Sequence, residues 1–495
     1  MIMANNYTSP AKTLKKRRQR LAQFIDFPVM LWSGCGIGRN FPANRFPFRA
    51  SSHFLYFAGL PLEKAVIYLH LGKLELFIDD YPPESILWHG AMPKREEIAE
   101  KIGADEAFPL SELRSTLRSS ASLSRAEGVA TIPVQDIITR QEQGEILQRP
   151  LGLADNLMGI DRDLAIAIAS LRLYHDENAI AQLRQAAAVT IEAHKTGMRA
   201  TNITEKNPNI PQLTTSGKNF PNPSPQTNGI YQTEATIRGA MAGIIMAHNL
   251  TCAYNPIVTV HGEVLHNEKY HHPLQPGDLL LADVGAETQM GWASDVTRTW
   301  PVTGKFSATQ RDIYNIVLAA HDACIAKIRP DVEYQDIHLL AASVICQGLV
   351  DLGILRGEVS DLVEMDAHAL FFPHGVGHLL GLDVHDMEDL GDLAGYAEGR
   401  IRSNRFGLCF LRLNRPLQSG MLVTIEPGFY QVPGILNDPE QRVKYRDIIN
   451  WERLAKFADV RGIRIEDDIL VTEEGCEVLT GELPTAADAI EDLVN

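Results

Sequence analysis

The sequence predicts a mixed α/β (α+β) protein with a small N-terminal α/β domain over residues 1–170 and a larger C-terminal domain over 171–495. Three observations carry that reading. The N-terminal part holds short apolar runs of strand length beside helix-length segments. A long apolar stripe at helical spacing opens at Asp176, which is a natural boundary after a small domain. From about residue 250 onward, strand-like runs, Gly/Pro turns and helix-length patterns interleave.

Taken in order, the first segment carries Lys12, Lys15, Lys16, Arg17, Arg18 and Arg20, read as the solvated face of a first helix. Gln23, Asp26 and Pro28 interrupt the stretch after this basic cluster, so no secretory hydrophobic region is expected. Gly34, Gly36 and Gly38 after the apolar run 29–32 read as a turn, because they miss the phosphate-loop spacing. Residues 65–71 and 74–79 are strand candidates, and 94–102 and 110–117 are helix candidates. Ile180, Leu183, Ala187, Ile191, His194 and Met198 line one face of the long helix. Residues 201–230, rich in Asn, Pro, Thr and Ser, read as an inserted surface loop, and helical spacing resumes over 234–249. Pro276-Gly277-Asp278 turns the chain into a strand over 279–284, a loop over 285–291 and a return strand over 292–302. Helices are expected over 310–328 and 334–352. Further strands are expected over 420–426, ended by Pro427-Gly428, and over 462–472.

Composition narrows the function. Of 495 residues, 46 are Lys or Arg and 62 Asp or Glu, a formal charge of −16, which argues against gripping nucleic acid or an anionic membrane. Hydrophobic residues make up 45% and charged ones 22%, as in ordinary globular chains. No apolar run approaches the ~18 residues that span a bilayer. Cys35, Cys252, Cys324, Cys346, Cys409 and Cys476 show no CxxC pairing, which fits reduced thiols and a cytoplasmic setting.

The chemistry concentrates in the C-terminal half. Asp283 and Asp295 sit near the facing ends of the expected hairpin, so antiparallel pairing can bring both carboxylates together. Alternation along 421–426 puts Leu422, Thr424 and Glu426 on one face, and along 462–466 it puts Arg464 with Glu466. Between them His374, His378 and His385 recur within a glycine-rich stretch. His374 and His378 imitate half of a zincin helix, but Gly375 stands where that motif needs Glu. Four carboxylates pointing inward would repel and be costly to bury. A pair of divalent cations removes the difficulty, and oxygen-rich ligation with one imidazole suits Mn²⁺, Co²⁺, Fe²⁺ or Zn²⁺. Two such ions at ~3.5–4 Å hold a bridging hydroxide as nucleophile.

The segments Leu281-Ala282-Asp283-Val284-Gly285, Ser294-Asp295-Val296-Thr297-Arg298, His374-Gly375-Val376-Gly377-His378, Thr424-Ile425-Glu426-Pro427-Gly428 and Gly462-Ile463-Arg464-Ile465-Glu466 resemble, in that order, the pita-bread metallopeptidases, and most closely the aminopeptidase P (Xaa-Pro aminopeptidase) family. Residues 48–59 resemble that family's N-terminal domain. The resemblance implies a pita-bread catalytic domain that removes an N-terminal residue before proline. It implies the metal ligands Asp283, Asp295, His378, Glu426 and Glu466, with Glu426 also the proton shuttle. It assigns His385 and His266 to the reacting carbonyl, and His374, Arg464, Tyr254 and Tyr430 to substrate binding. Thr297 and Thr424, each two residues from a ligand, are expected to support the ligands by hydrogen bonds. Two divalent ions, Mn²⁺ first, peptides with proline second, and a homodimer or homotetramer complete what the family implies. A prolidase acting on Xaa-Pro dipeptides shares these ligands and stays open, and a non-catalytic pita-bread scaffold ranks behind both. The chain departs from the family pattern by one extra residue between Asp283 and Asp295, by His53 where Asp is common, and by inserts at 201–230 and 387–420.

Overall fold

A computed structural model describes residues 10–115, 128–201 and 232–495. Helix α1 (Pro10–Phe24) buries Thr13, Leu14, Arg17, Arg18 and Leu21, the three- and four-residue steps of one helical face. Two of the basic residues expected in solvent are therefore interior. Arg17 Nε donates to Asp176 Oδ2 at 2.7 Å and its Nη1 to the Tyr56 carbonyl at 2.9 Å. Arg18 donates to the carbonyls of Ile102 and Gly103, which closes the C-terminus of a neighbouring helix. Burial brings the Arg18 guanidinium down to about 10. Those partners lie far along the chain, so a local charge pattern carries no trace of them.

Strands β1 (Val29–Trp32), β2 (Val66–His70), β3 (Lys73–Phe77) and β4 (Glu106–Phe108) form a sheet in that order. The first two pairings are antiparallel and the last is parallel. Leu71 and Gly72 join β2 to β3 with φ of 50° and 79°, the two left-handed positions of a tight hairpin turn. Helix α2 (Ser52–Ala58) is buried along its whole length between this sheet and the rest of the molecule. The helix expected over 110–117 begins as a single 3₁₀ turn, Leu110–Glu112, and residues 116–117 lie outside the described part.

Helix α3 (Gly159–Arg172) runs through the expected boundary at residue 170. The long stripe becomes α4 (Glu177–Thr201), with Leu183, Ala187, Ile191, His194 and Met198 buried. Helix α5 (Glu234–Ala247) packs on it, so closely that a Cβ at Gly197 would lie 2.8 Å from Met241 Sδ. The insert expected over 201–230 lies, beyond Thr201, outside the described residues.

Three small sheets position the chemistry. In one, β6 (Leu279–Asp283) is flanked by β5 (Ile257–Thr259) and β7 (Thr297–Pro301), both antiparallel. In another, β8 (Leu422–Ile425) pairs with β11 (Asp467–Val471), which pairs with β12 (Cys476–Val478). The third joins β9 (Gly428–Tyr430) to β10 (Gly462–Arg464). Helices α6 (Ala308–Lys327) and α7 (Tyr334–Asp351) bury apolar faces beside them.

Two details depart from the expected strands. Regular pairing on the return strand covers only β7, and the stretch before it, which holds Asp295, is irregular. The cause is a close crossing: a Cβ at Gly285 would lie 1.7 Å from the Ser294 carbonyl oxygen. The strand expected over 462–472 is broken at Ile465 and Glu466, because the Glu466 N–H turns to the Thr297 carbonyl at 3.0 Å. The strand expected to stop at Pro427-Gly428 does stop there, at Ile425, and Gly428 opens β9 in a separate sheet. Among the described residues no helix is long and apolar enough to cross a membrane, and all six cysteines are free.

Candidate metal centre

Each of the five expected ligands reaches one cavity of about 360 Å³, whose wall includes Asp283, Asp295, His378, Glu426 and Glu466. Asp283 is the last residue of β6, and Asp295 follows the Gly285 crossing, so both arrive from the same end of the hairpin. The segment 376–380 lies along β8: Thr424 N–H donates to the His378 carbonyl (3.0 Å) and Glu426 N–H to that of Val376 (2.8 Å). This brings His378 beside Glu426. Glu466 enters at the break between β10 and β11.

The carboxylates crowd. Tyr254 Oη donates to Asp283 Oδ1 at 2.6 Å and also contacts Asp295 Oδ1, so two acceptors share one hydroxyl hydrogen. Thr297 Oγ1 donates to Glu466 Oε2 at 2.6 Å, whereas the buried Glu466 Oε1 has no hydrogen-bond partner. Ligand atoms of Asp295, His378 and Glu466 all lie within 4.8 Å of one another. Burial, and then the neighbouring acids, raise the Glu466 carboxyl well above the usual range. Burial followed by the charge of Asp283 pushes Asp295 up to about 7. Burial pushes Glu426 up to about 7 as well. An orphaned buried oxygen, carboxyls raised by burial and by one another's charge, and one imidazole form a donor set that fits divalent cations.

The imidazole is oriented for the same task. His378 Nδ1 donates to the Leu379 carbonyl at 3.0 Å, which leaves the Nε2 lone pair facing Asp295 Oδ2 at 3.3 Å and Glu426 Oε1 at 3.7 Å. Burial lowers its pKa, the direction that favours the neutral ring a metal ligand needs.

The other expected residues divide into two groups. His266, His374, His385 and Arg464 line the cavity. His385 stacks edge-on to His378 with ring centres 4.4 Å apart, and its Nδ1 donates to Glu388 Oε2 at 2.6 Å. Burial and then Arg464 press His374 down to about 3, so it is neutral. Its Nδ1 donates to Gly375 O at 2.8 Å, and its Nε2 receives the Tyr430 hydroxyl at 2.9 Å. Tyr254 and Tyr430 are not part of the wall. Tyr254 holds the two aspartates, and Tyr430 accepts from Arg464 Nη1 at 3.0 Å. Arg464 also donates to Thr297 Oγ1 at 2.9 Å and Asp283 Oδ2 at 2.5 Å, so its guanidinium is engaged with the ligand cage. Thr297 supports Glu466 as expected. Thr424 instead accepts the backbone N–H of His378 at 3.2 Å, so it fixes the histidine rather than Glu426.

The family model of metallopeptidase family M24 matches residues 181–473, more than half of the chain and all of this cage. The chain belongs to metallopeptidase family M24. The model described as the aminopeptidase P N-terminal domain matches residues 14–129 of the same chain. Among its relatives, the "Probable Xaa-Pro aminopeptidase pepP" of Talaromyces stipitatus is 32% identical over 462 residues, 91% of this chain and 88% of that protein. The similarly named Aspergillus fumigatus protein is 31% identical, over 90% and 88%. Among solved structures, the aminopeptidase PepP of Pseudomonas aeruginosa superposes with a TM-score of 0.76 at 27% identity, covering 98% of each chain. Zinc-substituted Escherichia coli aminopeptidase P in complex with product gives 0.73 at 26%, again over 98% of each chain. This M24 protein is therefore of the aminopeptidase P type, with the expected mixed α/β pita-bread architecture.

Several residues that hold the M24 site are not singled out by the sequence pattern. Asp468 accepts from Ser294 Oγ at 2.6 Å and from the Asp295 N–H at 3.1 Å, anchoring the irregular stretch. Arg298 donates to the Glu466 carbonyl at 2.6 Å and forks onto Asp467 at 2.8 and 3.1 Å, which fixes the break before β11. Phe410 and Arg412, from the 387–420 insert, complete the cavity wall. Three acids in a row within apolar surroundings, 466–468, were a usable signal for the first two. The insert offered none.

Proposed function

We propose that this M24 metallopeptidase is an Xaa-Pro aminopeptidase, cleaving the bond between an N-terminal residue and a following proline. The observation that carries the reading is the convergence of Asp295, His378 and Glu466 on one point, with a buried carboxylate oxygen left unpaired there. Asp283, Asp295, His378, Glu426 and Glu466 would hold two divalent cations, Mn²⁺ by preference. When bound, these ions offset the acidic charge, polarise the scissile carbonyl and acidify a water held between them.

The chain's own residues supply the remainder. An Xaa-Pro bond has no N–H, so recognition cannot use that donor and cleavage depends on protonating the proline nitrogen. Glu426, on the cavity wall beside His378, would accept a proton from the attacking water and pass it to that nitrogen. His385 presents Nε2 to the cavity because Nδ1 is committed to Glu388, and it orients the scissile peptide together with His266. His374 borders the space where the proline ring and its carbonyl lie, with Tyr430 and Arg464 fixing it from behind. Arg464 thereby acts chiefly by holding Asp283, and Tyr254 by spacing the two aspartates.

The two-domain division at residue 170 rests on the long helical stripe that opens at Asp176, and assembly as a homodimer or homotetramer follows from the aminopeptidase P resemblance. Six free thiols favour a reducing, cytoplasmic setting. Hydrolysis of an Xaa-Pro-Yaa tripeptide set against an Xaa-Pro dipeptide tests the reading. Turnover of the tripeptide is expected, and turnover of the dipeptide alone would make the protein a prolidase.

A further inference from the structure

The loop that carries His385 is gripped from outside the C-terminal domain. Ser52 Oγ donates to Asp383 Oδ1 at 2.7 Å, and Arg49 donates to the Leu382 carbonyl. The Arg172 guanidinium, 2% exposed at the end of α3, donates to Asp386 Oδ1 at 2.5 Å and Asp383 Oδ2 at 3.2 Å. Its other terminal nitrogen meets His53 Nδ1 at 3.1 Å, and His53 Nε2 meets Asp389 Oδ2 at 3.0 Å. An arginine only donates, so Nδ1 accepts and Nε2 carries the proton offered to Asp389. The buried imidazole is thus a two-sided spacer between a cation and a carboxylate. An aspartate at position 53 would offer acceptors only and could not bridge them.

Asp383, Asp386 and Asp389 bracket His385 on the sequence, and Asp386 Oδ1 also closes the turn by accepting the Asp383 N–H at 3.1 Å. With three anchors around one turn, the ring of His385 has little freedom to leave its place beside His378. Without these anchors the turn keeps its internal bonds and the His385–Glu388 pair but loses its ties to the residues around position 53.

We propose that His53, together with Ser52, is a positioning residue through which the N-terminal domain, acting with Arg172 at the end of α3, sets the orientation of His385 in the peptide-binding cavity. The inference rests on His385 orienting the scissile peptide, and the tests separate the two. In full-length, Mn²⁺-loaded protein, His53→Leu removes both bonds, whereas His53→Gln can still offer an acceptor and a donor. His53→Leu should lower kcat about 10-fold with KM within about twofold, and His53→Gln should recover most of the loss. In a His385→Ala background, His53→Leu should cost nothing further, because the two act through one group. An unchanged kcat, or losses that multiply across the two sites, would overturn the proposal. Should His53→Leu fail to fold, Ser52→Ala carries the same cycle with an expected loss of about threefold. A second readout does not use turnover: histidine ring NMR, with His385 assigned through its alanine variant. The His385 signal should move in His53→Leu, and an unmoved signal would overturn the proposal even if wild-type turnover of Xaa-Pro peptides failed.

Discussion

Replacing Thr297 with valine keeps the shape of a fully buried side chain and removes a single oxygen. That oxygen donates to Glu466 Oε2 at 2.6 Å and accepts from Arg464 Nε at 2.9 Å. The first bond involves a carboxylate in a dry cage, where a hydrogen bond to a charged group contributes about 1.5–3 kcal/mol. At about 1.36 kcal/mol per factor of ten, losing it should weaken metal binding, or kcat at saturating metal, about 10- to 150-fold. Arg464 keeps its contacts with Asp283 and Tyr430, so the cage survives and the fold is retained. Activity on an Xaa-Pro-Yaa peptide would be followed while Mn²⁺ is titrated into chelated protein, with thermal unfolding run in parallel. A metal titration and kcat within about twofold of wild type would refute the claim that Thr297 supports a working ligand.

Glu426→Gln should abolish peptidase turnover while circular dichroism stays native, and an unchanged rate would remove Glu426 from proton transfer. In the metal-free protein Asp295 and Glu426 are raised to about 7, above their unfolded values, so the folded state binds the extra protons. The stability this gives is complete below the unfolded carboxylate pKa and is lost as pH rises through about 7. Melting of chelated protein should therefore fall from about pH 5 to about pH 8, and the gain in Tm on adding Mn²⁺ should grow over the same range. A metal-induced gain independent of pH would contradict that linkage. Gly285→Ala would set a Cβ 1.7 Å from the Ser294 carbonyl and should cost about 3 kcal/mol or more by denaturant unfolding, with loss of activity through Asp295.

The sequence made the long elements plain because their periodicity is local: α4, α6 and α7 lie within a few residues of the expected spans. The cage residues were legible because four acids directed inward have few physical justifications, and their motifs occur in a recognisable order. What stayed hidden depends on contacts distant in sequence. Arg17 and Arg18 looked like solvent-facing charges until Asp176 and the end of a helix at Ile102 came beside them. The break at Ile465–Glu466 comes with bonds linking Glu466 to Thr297 and Arg298, distant in sequence, which no alternation pattern encodes. The resemblance assigns Arg464 to substrate, and its bonds to Thr297, Tyr430 and Asp283, which no sequence pattern shows, tie the same guanidinium to the ligand cage. His53 was visible only as a departure, and its bond geometry supplies the reason a histidine fits there.

The central claim is that Asp283, Asp295, His378, Glu426 and Glu466 hold two divalent cations that the cleavage of Xaa-Pro bonds requires. Its most direct test is a Mn²⁺ titration of chelated protein, with bound metal and Xaa-Pro-Yaa hydrolysis measured on the same samples. Activity should be absent after chelation and return as occupancy approaches about two ions per chain. Full activity in protein stripped of metal would contradict the account.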